Sequence, residues 1–221
     1  MNFNNKFHIY NENADIQRLV AHKLNNFISY NCKEKQFKSI FEIGCGTGIF
    51  TSYITKTYNF DNIILNDYFD TRKYLTNIKY SNFLFGDIET IAIPEVDIVV
   101  SSSVLQWIKN FDLLVNKVSK NTNLFAFSIF TLGNLKEIND HFKISLNYMQ
   151  ADTIETTLKK YFKIVNSETQ TLKKKFNTPF DALRHLKNTG VTGFKKASIS
   201  SIRSFSDTTL TYEVAYFYCS N

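Results

Sequence analysis

The sequence predicts an α/β fold, in which helices cover both faces of a mostly parallel seven-stranded β-sheet with an antiparallel edge strand. Three observations indicate this class. Short apolar runs typical of buried strands alternate along the chain with amphipathic stretches typical of helices. Three of the seven glycines lie within five residues, between a predicted strand and a predicted helix. The last segment alternates apolar and polar residues, as expected for a strand that joins such a sheet in the antiparallel sense.

The elements follow one another in the order that this class requires. Apolar residues at helical spacing, among them Ile16, Val20 and Leu24, predict an N-terminal helix near residues 11–30. Predicted strands lie at 39–43, 62–66, 82–85, 96–100 and 124–129. Predicted helices lie between them, near 49–58, 69–78 and 111–119. The remainder holds a β-rich stretch at 161–176, a helix near 179–189 and a final strand at 209–218.

The chain has no repeat, low-complexity tract or Gly/Ser linker that would mark a domain boundary. We therefore predict a single domain over residues 1–221. Its predicted parts are an N-terminal helical lid at 1–35, a ligand-binding core at 36–135 and a second half at 136–221. The second half is expected to carry a helical lid insertion near 177–207.

Composition excludes several classes of protein. Hydrophobic residues make up 43% of the 221 residues, which is typical of a globular protein. Apolar runs stay well short of the roughly 18 residues of a membrane helix, and the N-terminal MNFNNKFHIY has no signal-peptide core. The cysteines Cys32, Cys45 and Cys219 are odd in number and lack metal-ligand spacing, so we expect a reduced, cytoplasmic compartment and no metal site.

The net charge of +6 is unevenly distributed. Residues 1–111 carry 11 basic and 11 acidic side chains, whereas residues 112–221 carry 15 and 9. The excess is concentrated in 171–203, which holds Lys173, Lys174, Lys175, Arg184, Lys187, Lys195, Lys196 and Arg203 against Asp181. Two interpretations stay open: a solvated lysine-rich face, or a docking surface for an acidic partner.

The glycine cluster Gly44-Cys-Gly46-Thr-Gly48 indicates a nucleotide-binding turn between a strand and a helix. Glycines there permit a sharp reversal, a ligand against bare backbone, and close packing of the helix on the strand. The spacing is one residue shorter than the dinucleotide fingerprint G-x-G-x-x-G, and Glu42 precedes the turn. A carboxylate at this position suits an ammonium or sulfonium ligand better than a pyrophosphate.

Two acidic residues follow the next two predicted strands. Asp67 lies 23 residues after Gly44, where a carboxylate accepts hydrogen bonds from both hydroxyls of a ribose. Asp87 follows the third strand, where it would accept from an adenine amino group while Ile88 packs on the base. Because parallel strands end at the same edge of the sheet, these groups are expected to converge with the glycine turn.

Further stretches complete the pattern: Phe7 with Tyr10, Ala14 and Gln17, then Gly86–Glu89, Ser101–Trp107, Phe130–Glu137, Asp181–Gly190 and Leu210–Val214. Residues 38–130 resemble the Rossmann-like S-adenosylmethionine-dependent methyltransferases. Nearly end to end, the chain resembles the malonyl-[acyl-carrier protein] O-methyltransferase family of biotin synthesis. Ser101-Ser-Ser-Val-Leu-Gln-Trp107 matches the family's Ser-Asn-x-x-x-Gln-Trp, with Ser102 in place of the asparagine. The family's Pro-Gly-Gly turn is replaced by residues 119–123, where asparagines are expected to supply left-handed backbone.

The resemblance implies methyl transfer from S-adenosylmethionine to the free carboxylate of a malonyl thioester on an acidic acyl carrier protein. It makes residues 36–135 the cofactor-binding core and adds Tyr68 and Ser102 to the cofactor site. A carboxylic acid has a pKa of about 4, so the acceptor is already an anionic nucleophile and no general base is required. What the reaction needs is alignment and the exclusion of water.

Within this interpretation, Tyr10, Gln106 and Trp107 are the candidates for the wall around the donor methyl group. Arg184 and His185 are the candidates for the malonyl carboxylate, with Arg184 favoured because a guanidinium binds a carboxylate through two hydrogen bonds. Tyr212 is assigned to the pocket rim. Lys187, Lys195 and Lys196 are expected to help steer the acidic carrier protein.

Three rival functions remain open. The first is a methyltransferase for a free small carboxylic acid or a quinone-type ring. The second is a non-catalytic subunit that binds S-adenosylmethionine. The third is nucleic-acid methylation, which the sequence disfavours because Ser101-Ser-Ser-Val stands where amino-directed enzymes carry Asn-Pro-Pro-Tyr or Asp-Pro-Pro-Tyr. We therefore expect no nucleic-acid partner and no membrane association.

Overall fold

A computed structural model describes residues 7–143, 147–190 and 197–221. Its strands are β1 (Gln36–Ile43), β2 (Asn59–Asp67), β3 (Asn82–Phe85), β4 (Ile98–Ser102), β5 (Leu124–Phe130), β6 (Ile164–Lys175) and β7 (Thr209–Ser220). Its helices are α1 (Phe7–Asn13), α2 (Asp15–Asn31), α3 (Ile49–Thr57), α4 (Phe111–Ser119), α5 (Lys136–Phe142), α6 (Ala151–Leu158), α7 (Pro179–Asn188) and α8 (Ile199–Ser204).

The strands form one seven-stranded sheet in the order β3-β2-β1-β4-β5-β7-β6. The pairs within β3-β2-β1-β4-β5 are parallel, and β7 runs antiparallel to β5 and β6. This confirms the predicted α/β class and the mostly parallel sheet with an antiparallel end. Strand order reverses direction at β1, between β2 and β4, which is where open α/β sheets bind ligands at the carboxyl ends of their strands.

Helices bury both faces of the sheet, because successive side chains of a strand point to opposite sides. On one face, Ile40 of β1 and Tyr216 of β7 belong to a core that includes Leu24 of α2. On the other face, Phe41 and Phe127 pack in a core with Val118 of α4. Strands covered on both faces need the continuous apolar runs that identified them in the sequence.

The predicted N-terminal helix near 11–30 is divided into α1 and α2 at Ala14, whose backbone leaves the helical range. The short α1 connects two parts of the molecule. Thr47 Oγ1 in the glycine turn donates to Asn11 Oδ1 at 2.5 Å, and Asn188 Nδ2 of α7 donates to Asn13 Oδ1 at 3.3 Å. This position is compatible with the predicted lid at 1–35, which stays a prediction.

The predicted helix near 69–78 is wrong. Within that segment the structure has only a 3-10 turn over Arg72–Tyr74. Asp70 Oδ1 accepts from the Arg72 backbone N–H at 3.3 Å, and such local bonds from side chain to backbone compete with a helical hydrogen-bond ladder. Leu75 and Ile78 lie against Gly48 at the start of α3, so this connection covers the glycine turn instead of coiling into a helix.

Helices α5 and α6 lie where the sequence predicted none, whereas α8 lies within the stretch near 177–207 for which a helical insertion was predicted.

The turn at 119–123 also differs from expectation. None of its asparagines adopts left-handed backbone. Instead Asn121 N–H donates to Val118 O at 2.9 Å, and Asn121 Nδ2 donates to Lys117 O at 2.8 Å. The asparagine therefore replaces the glycine turn by satisfying the last carbonyls of α4.

Among the helices of the described ranges, none has the length and hydropathy that crossing a bilayer would require.

The aromatic centre of the second core should dominate the stability of the fold. Phe127 is fully buried, with its ring centroid 4.7 Å from that of Phe125 and 5.1 Å from that of Phe217. We expect Phe127→Ala to lower the free energy of unfolding by about 3–5 kcal/mol in urea denaturation, through lost burial and a residual cavity. Phe180→Ala, at a side chain 61% exposed, should change it by less than about 0.5 kcal/mol. Equal losses would show that Phe127 does not sit in the cooperative core.

Candidate active site

A cavity of about 490 Å³ opens at the carboxyl ends of β1, β2, β3 and β4. It brings together the glycine turn and most of the residues predicted for the cofactor site, namely Glu42, Gly44, Gly46, Asp67, Tyr68, Asp87, Ile88 and Ser102, with Tyr10 and Trp107 from the predicted methyl wall. Among the described residues that line it, the charged ones are the acidic Glu42, Asp67, Asp87 and Glu89 and the basic Lys109. The cavity is therefore acidic and suits a cationic ligand.

The glycine turn offers bare backbone to this cavity at Gly46. Its φ is +53°, and a side chain built there would meet no atom within 4 Å, so the space beside it is open to a ligand. Gly48 is constrained differently: its φ is +81°, and a Cβ there would lie 2.1 Å from Ile78 Cδ1. At Gly48, the start of α3 lies too close to Ile78 for any side chain to fit.

Asp67 fixes the glycine turn against the end of β2. Its Oδ2 accepts from Gly46 N–H at 2.8 Å, and its Oδ1 accepts from Phe69 N–H at 2.9 Å. Burial raises the pKa of Asp67, and these backbone N–H groups oppose the rise. Asp67 lines the cavity, where its carboxylate can accept further hydrogen bonds from hydroxyl donors.

Glu42, at the end of β1, is 1% exposed and its Oε2 has no hydrogen-bond partner. Burial raises the pKa of Glu42 to about 8, and the nearby Asp67 carboxylate acts in the same direction. At pH 7 the carboxyl group is therefore mostly protonated until a cation lies beside it. A buried, unpartnered oxygen at the cavity wall is what a site for an ammonium or sulfonium group requires.

The segment after β3 forms the far wall of the cavity. Asp87 Oδ1 accepts from Glu89 N–H at 2.9 Å, which fixes the carboxylate in a tight turn. Ile88 is buried, and its carbonyl accepts from Lys117 Nζ at 3.1 Å. Tyr68 lies at the mouth with a largely exposed side chain. Ile88, an apolar side chain between the carboxylates of Asp87 and Glu89, suits an aromatic base that carries an amino group.

The loop after β4 is held in a strained conformation. Ser103 has a φ of +60°, which is uncommon for a residue with a side chain and is often found at functional sites. Gln106 Nε2 donates to Ser103 O at 2.6 Å, and Ser103 N–H donates to Ser128 O at 3.0 Å. Ser102 Oγ lies 3.2 Å from Ser128 Oγ. Gln106 thus orients this loop through the backbone of Ser103.

A second, smaller cavity of about 20 Å³ adjoins the first. The two cavities share Tyr10, Gln17, Ser103 and Trp107. The small cavity is completed by Gln106, Phe130, Asn134, Tyr148, Thr189 and Tyr212. Its described lining contains no Arg, Lys, His, Asp or Glu, so it is polar but uncharged.

The residues predicted for the substrate site differ in their exposure to solvent and in whether they line a cavity. Arg184 has a side chain that is 57% exposed, pairs with Asp181 at 3.4 Å, and lies over the Phe180 ring at 4.8 Å. His185 is buried, and burial together with the Lys174 charge lowers its pKa to about 4. Neither lines a described cavity, whereas Tyr212 lines the small one.

The basic residues of the predicted docking surface lie outside both cavities. Lys187 is exposed on α7. Lys195 and Lys196 fall outside the described residues, so their contribution stays a prediction. Exposed basic side chains nearby are Lys173, Lys175 and Arg203.

Comparison with known proteins places the chain in a family. Residues 41–122 match the family model described as "Methyltransferase domain". A Malonyl-[acyl-carrier protein] O-methyltransferase from Calditerrivibrio nitroreducens is 35% identical over 202 residues, covering 87% of this chain and 80% of that protein. The protein of the same name from Bacteroides thetaiotaomicron is 32% identical, covering 89% and 78%. The chain belongs to the malonyl-[acyl-carrier protein] O-methyltransferase family.

A solved structure of the plantazolicin methyltransferase BpumL, in complex with a desmethyl analogue and S-adenosylhomocysteine, shares the fold with a TM-score of 0.60. It is 14% identical and covers 98% of this chain and 90% of that one. As a member of the malonyl-[acyl-carrier protein] O-methyltransferase family, the protein is an S-adenosylmethionine-dependent O-methyltransferase. The open space at Gly46 and the unpartnered Glu42 oxygen fit this cofactor. Within the described ranges, no group of three or more His, Cys, Asp or Glu side chains has metal-binding geometry.

Several residues that line these cavities had no role predicted from the sequence, among them Ser103, Asn134 and Tyr148. Gln17 could have been predicted from the sequence, because a polar residue on the buried, apolar face of a helix often has a function. Ser103 could not have been predicted in this way, because its positive φ is visible only in the three-dimensional structure.

The raised pKa of Glu42 predicts that cofactor binding releases protons near pH 7. A positive charge beside Glu42 favours its ionised form, so the affinity for S-adenosylmethionine should increase between about pH 6 and pH 8. Calorimetry in two buffers of different ionisation enthalpy measures both affinity and proton release. Glu42→Gln removes the titrating group with little change of shape and should lose this part of the proton release. Identical proton release by both proteins would exclude Glu42 as its source.

Proposed function

We propose that this enzyme methylates the free carboxylate of a malonyl thioester carried by an acyl carrier protein, giving the methyl ester that primes pimeloyl synthesis for biotin. The observation that carries the proposal is the small uncharged polar cavity that shares Tyr10, Gln17, Ser103 and Trp107 with the acidic cofactor cavity. Because the two cavities adjoin along these residues, an acceptor headgroup in one would lie beside the donor in the other. The names of the relatives support the malonyl acceptor.

The residues assigned to the cofactor divide its parts among them. We assign Asp67 to the ribose hydroxyls, Asp87 and Ile88 to the adenine, and Glu42 with the Gly46 backbone to the charged amino acid end. When bound, S-adenosylmethionine supplies a methyl group whose bond to sulfur breaks as the bond to a carboxylate oxygen forms, the electron pair staying on sulfur. No proton is transferred, and the lining of the two cavities contains no histidine that would serve as a base.

The remaining contribution of the protein is positioning, which can supply on the order of 7–11 kcal/mol. Tyr10 is assigned to the wall between the two cavities, and burial raises the pKa of its hydroxyl, so the ring stays neutral. Trp107 shields the same boundary from water. Gln106 holds the Ser103 backbone, so its assigned role is to orient the loop that both cavities share.

The carrier protein is proposed to dock on exposed basic side chains of the second half, with Arg184 and Lys187 of α7 at the centre and Lys173, Lys175 and Arg203 adding to the positive charge of this half. These side chains are exposed and belong to the second half, which carries the net positive charge. We further propose that 1–35 and the insertion near 177–207 act as lids within one domain. The three cysteines are free and buried, which fits the proposed cytoplasmic location.

A quinone-type acceptor fits the site less well, and the other two rival functions leave a feature of the structure without a use. A quinone-type ring requires more room than the roughly 20 Å³ that the small cavity provides, whereas a carboxylate is a small planar headgroup. A free small acid would occupy the same cavity without any use for the basic surface. A non-catalytic subunit would have no need of an acceptor cavity beside the cofactor.

The proposed acceptor can be tested with labelled S-adenosylmethionine and either malonyl- or acetyl-acyl carrier protein. We expect a base-labile methyl ester on the malonyl form, because that form has the free carboxylate. The acetyl form should remain unlabelled. Labelling of both forms, or of neither, would contradict the proposal.

The proposed docking surface predicts a charge-dependent KM. We expect Arg184→Glu combined with Lys187→Glu to raise KM for malonyl-acyl carrier protein about 10-fold at low salt, with the effect decreasing as salt screens the charges. KM for malonyl-CoA should change much less. Lys73→Glu with Lys79→Glu, two exposed lysines in the connection that leads to β3 at the opposite edge of the sheet, is the matched control. Equal effects on both substrates would rule out carrier docking at Arg184 and Lys187.

A further inference from the structure

The small cavity combines two properties that seldom occur together. Its described lining has no cationic side chain, yet several of its polar atoms are buried without a hydrogen-bond partner. These atoms are Ser103 Oγ, Tyr212 Oη, Gln17 Oε1, Gln106 Oε1 and Asn134 Oδ1. Buried polar atoms are normally paired, and a cluster without partners calls for an explanation.

The two hydroxyls differ chemically from the three amide oxygens. Amide oxygens only accept hydrogen bonds, whereas the hydroxyls of Ser103 and Tyr212 can donate. Burial raises the pKa of Tyr212, so its hydroxyl keeps the proton that it would donate. A headgroup with two acceptor oxygens, such as a carboxylate, would satisfy both hydroxyls at once.

We propose that the hydroxyls of Tyr212 and Ser103 bind the carboxylate of the acceptor, and that the acceptor site uses these neutral donors in place of the Arg184 guanidinium. This inference rests on the proposed function, which supplies the carboxylate. It assigns Arg184 to the protein surface, where its contacts with Asp181 and Phe180 already hold it.

Packing and hydrogen bonds hold the two residues that carry these hydroxyls in place. Tyr212 is 2% exposed in β7, and its ring centroid lies 6.2 Å from that of Phe130, another wall of the cavity. Ser103 is fixed by its bonds to Ser128 and by the Gln106 side chain. Donors whose orientation is set before binding lose little entropy when the ligand arrives.

The nearest acidic groups do not contradict an anion site. The Glu137 carboxylate already accepts from Thr211 N–H at 3.0 Å and from Thr211 Oγ1 at 2.5 Å. Asp15 is paired with Lys174 at 2.5 Å. Their charges are therefore partly compensated by partners outside the cavity.

Neutral donors also suit the reaction better than an ion pair. The carboxylate loses negative charge as the new bond forms, so a guanidinium would stabilise the bound acceptor more than the transition state. Two hydroxyls orient the carboxylate and leave lone pairs on its oxygens for attack on the methyl group. Gln17 Oε1, on a residue that lines both cavities, would face the partial positive charge of that methyl group.

The test compares Tyr212→Phe and Ser103→Ala with Tyr216→Phe. Tyr216 is a buried tyrosine on the same strand and face, whose hydroxyl binds Gln170 at 3.1 Å outside both cavities. Calorimetric titration of malonyl-CoA into each protein saturated with S-adenosylhomocysteine should show about 10- to 100-fold weaker binding for Tyr212→Phe and Ser103→Ala, the range for losing a hydrogen bond to a charged group. Tyr216→Phe and Arg184→Ala should bind within about twofold of the wild type. Binding of S-adenosylhomocysteine itself should be unchanged in Tyr212→Phe, Tyr216→Phe and Arg184→Ala. Ser103 also lines the cofactor cavity, so Ser103→Ala is compared only when saturated with S-adenosylhomocysteine.

Two further measurements separate the possible failures. The methyl ester of malonyl-CoA, which lacks the carboxylate, should bind equally weakly to wild type and to Tyr212→Phe. The inference is overturned if Tyr212→Phe and Ser103→Ala bind malonyl-CoA as tightly as Tyr216→Phe does, or if Arg184→Ala alone abolishes binding. In either case, methyl transfer by the wild-type enzyme would leave the proposed function intact. A wild-type enzyme that methylates no malonyl thioester removes the proposed function, and with it this inference.

Discussion

The hydrogen bond from Gly46 N–H to Asp67 Oδ2 joins the two strand ends between which the cofactor cavity forms. It holds the glycine turn at the end of β2 and turns one side of bare backbone toward the open space. Because β1 and β2 are parallel neighbours, a short loop from each suffices to bring backbone and carboxylate together. A side chain at Gly46 would extend into the space that the cofactor needs.

The two cavities separate charge in a way that matches the two halves of a methyl transfer. The cofactor cavity is lined by Glu42, Asp67, Asp87 and Glu89, which favour a cationic donor. The adjoining cavity has neutral polar walls, which suit an anion whose charge is consumed in the reaction. Acidic residues around the proposed donor site and away from the proposed acceptor site would avoid direct repulsion of a carboxylate.

Buried polar atoms without partners reduce the stability of the protein, and here they concentrate where ligands are proposed to bind. Glu42 Oε2 lies in the cofactor cavity, and Tyr212 Oη lies in the small one. The aromatic core around Phe127 and the paired strands β6 and β7 provide stability that offsets such groups. A binding site prepared in this way needs little rearrangement when its ligands arrive.

The sequence alone determined the α/β class, the seven strands and the glycine turn, because apolar periodicity and clustered glycines are local signals. It did not determine the connection at 69–78, where contacts of Leu75 and Ile78 with Gly48 replace a helix. It did not reveal the small cavity either, since Gln17, Ser103, Asn134 and Tyr212 come from four distant segments. Only the tertiary structure shows that Arg184 faces solvent while Tyr212 is enclosed, because the direction of a side chain depends on the packing of its element against the rest of the chain.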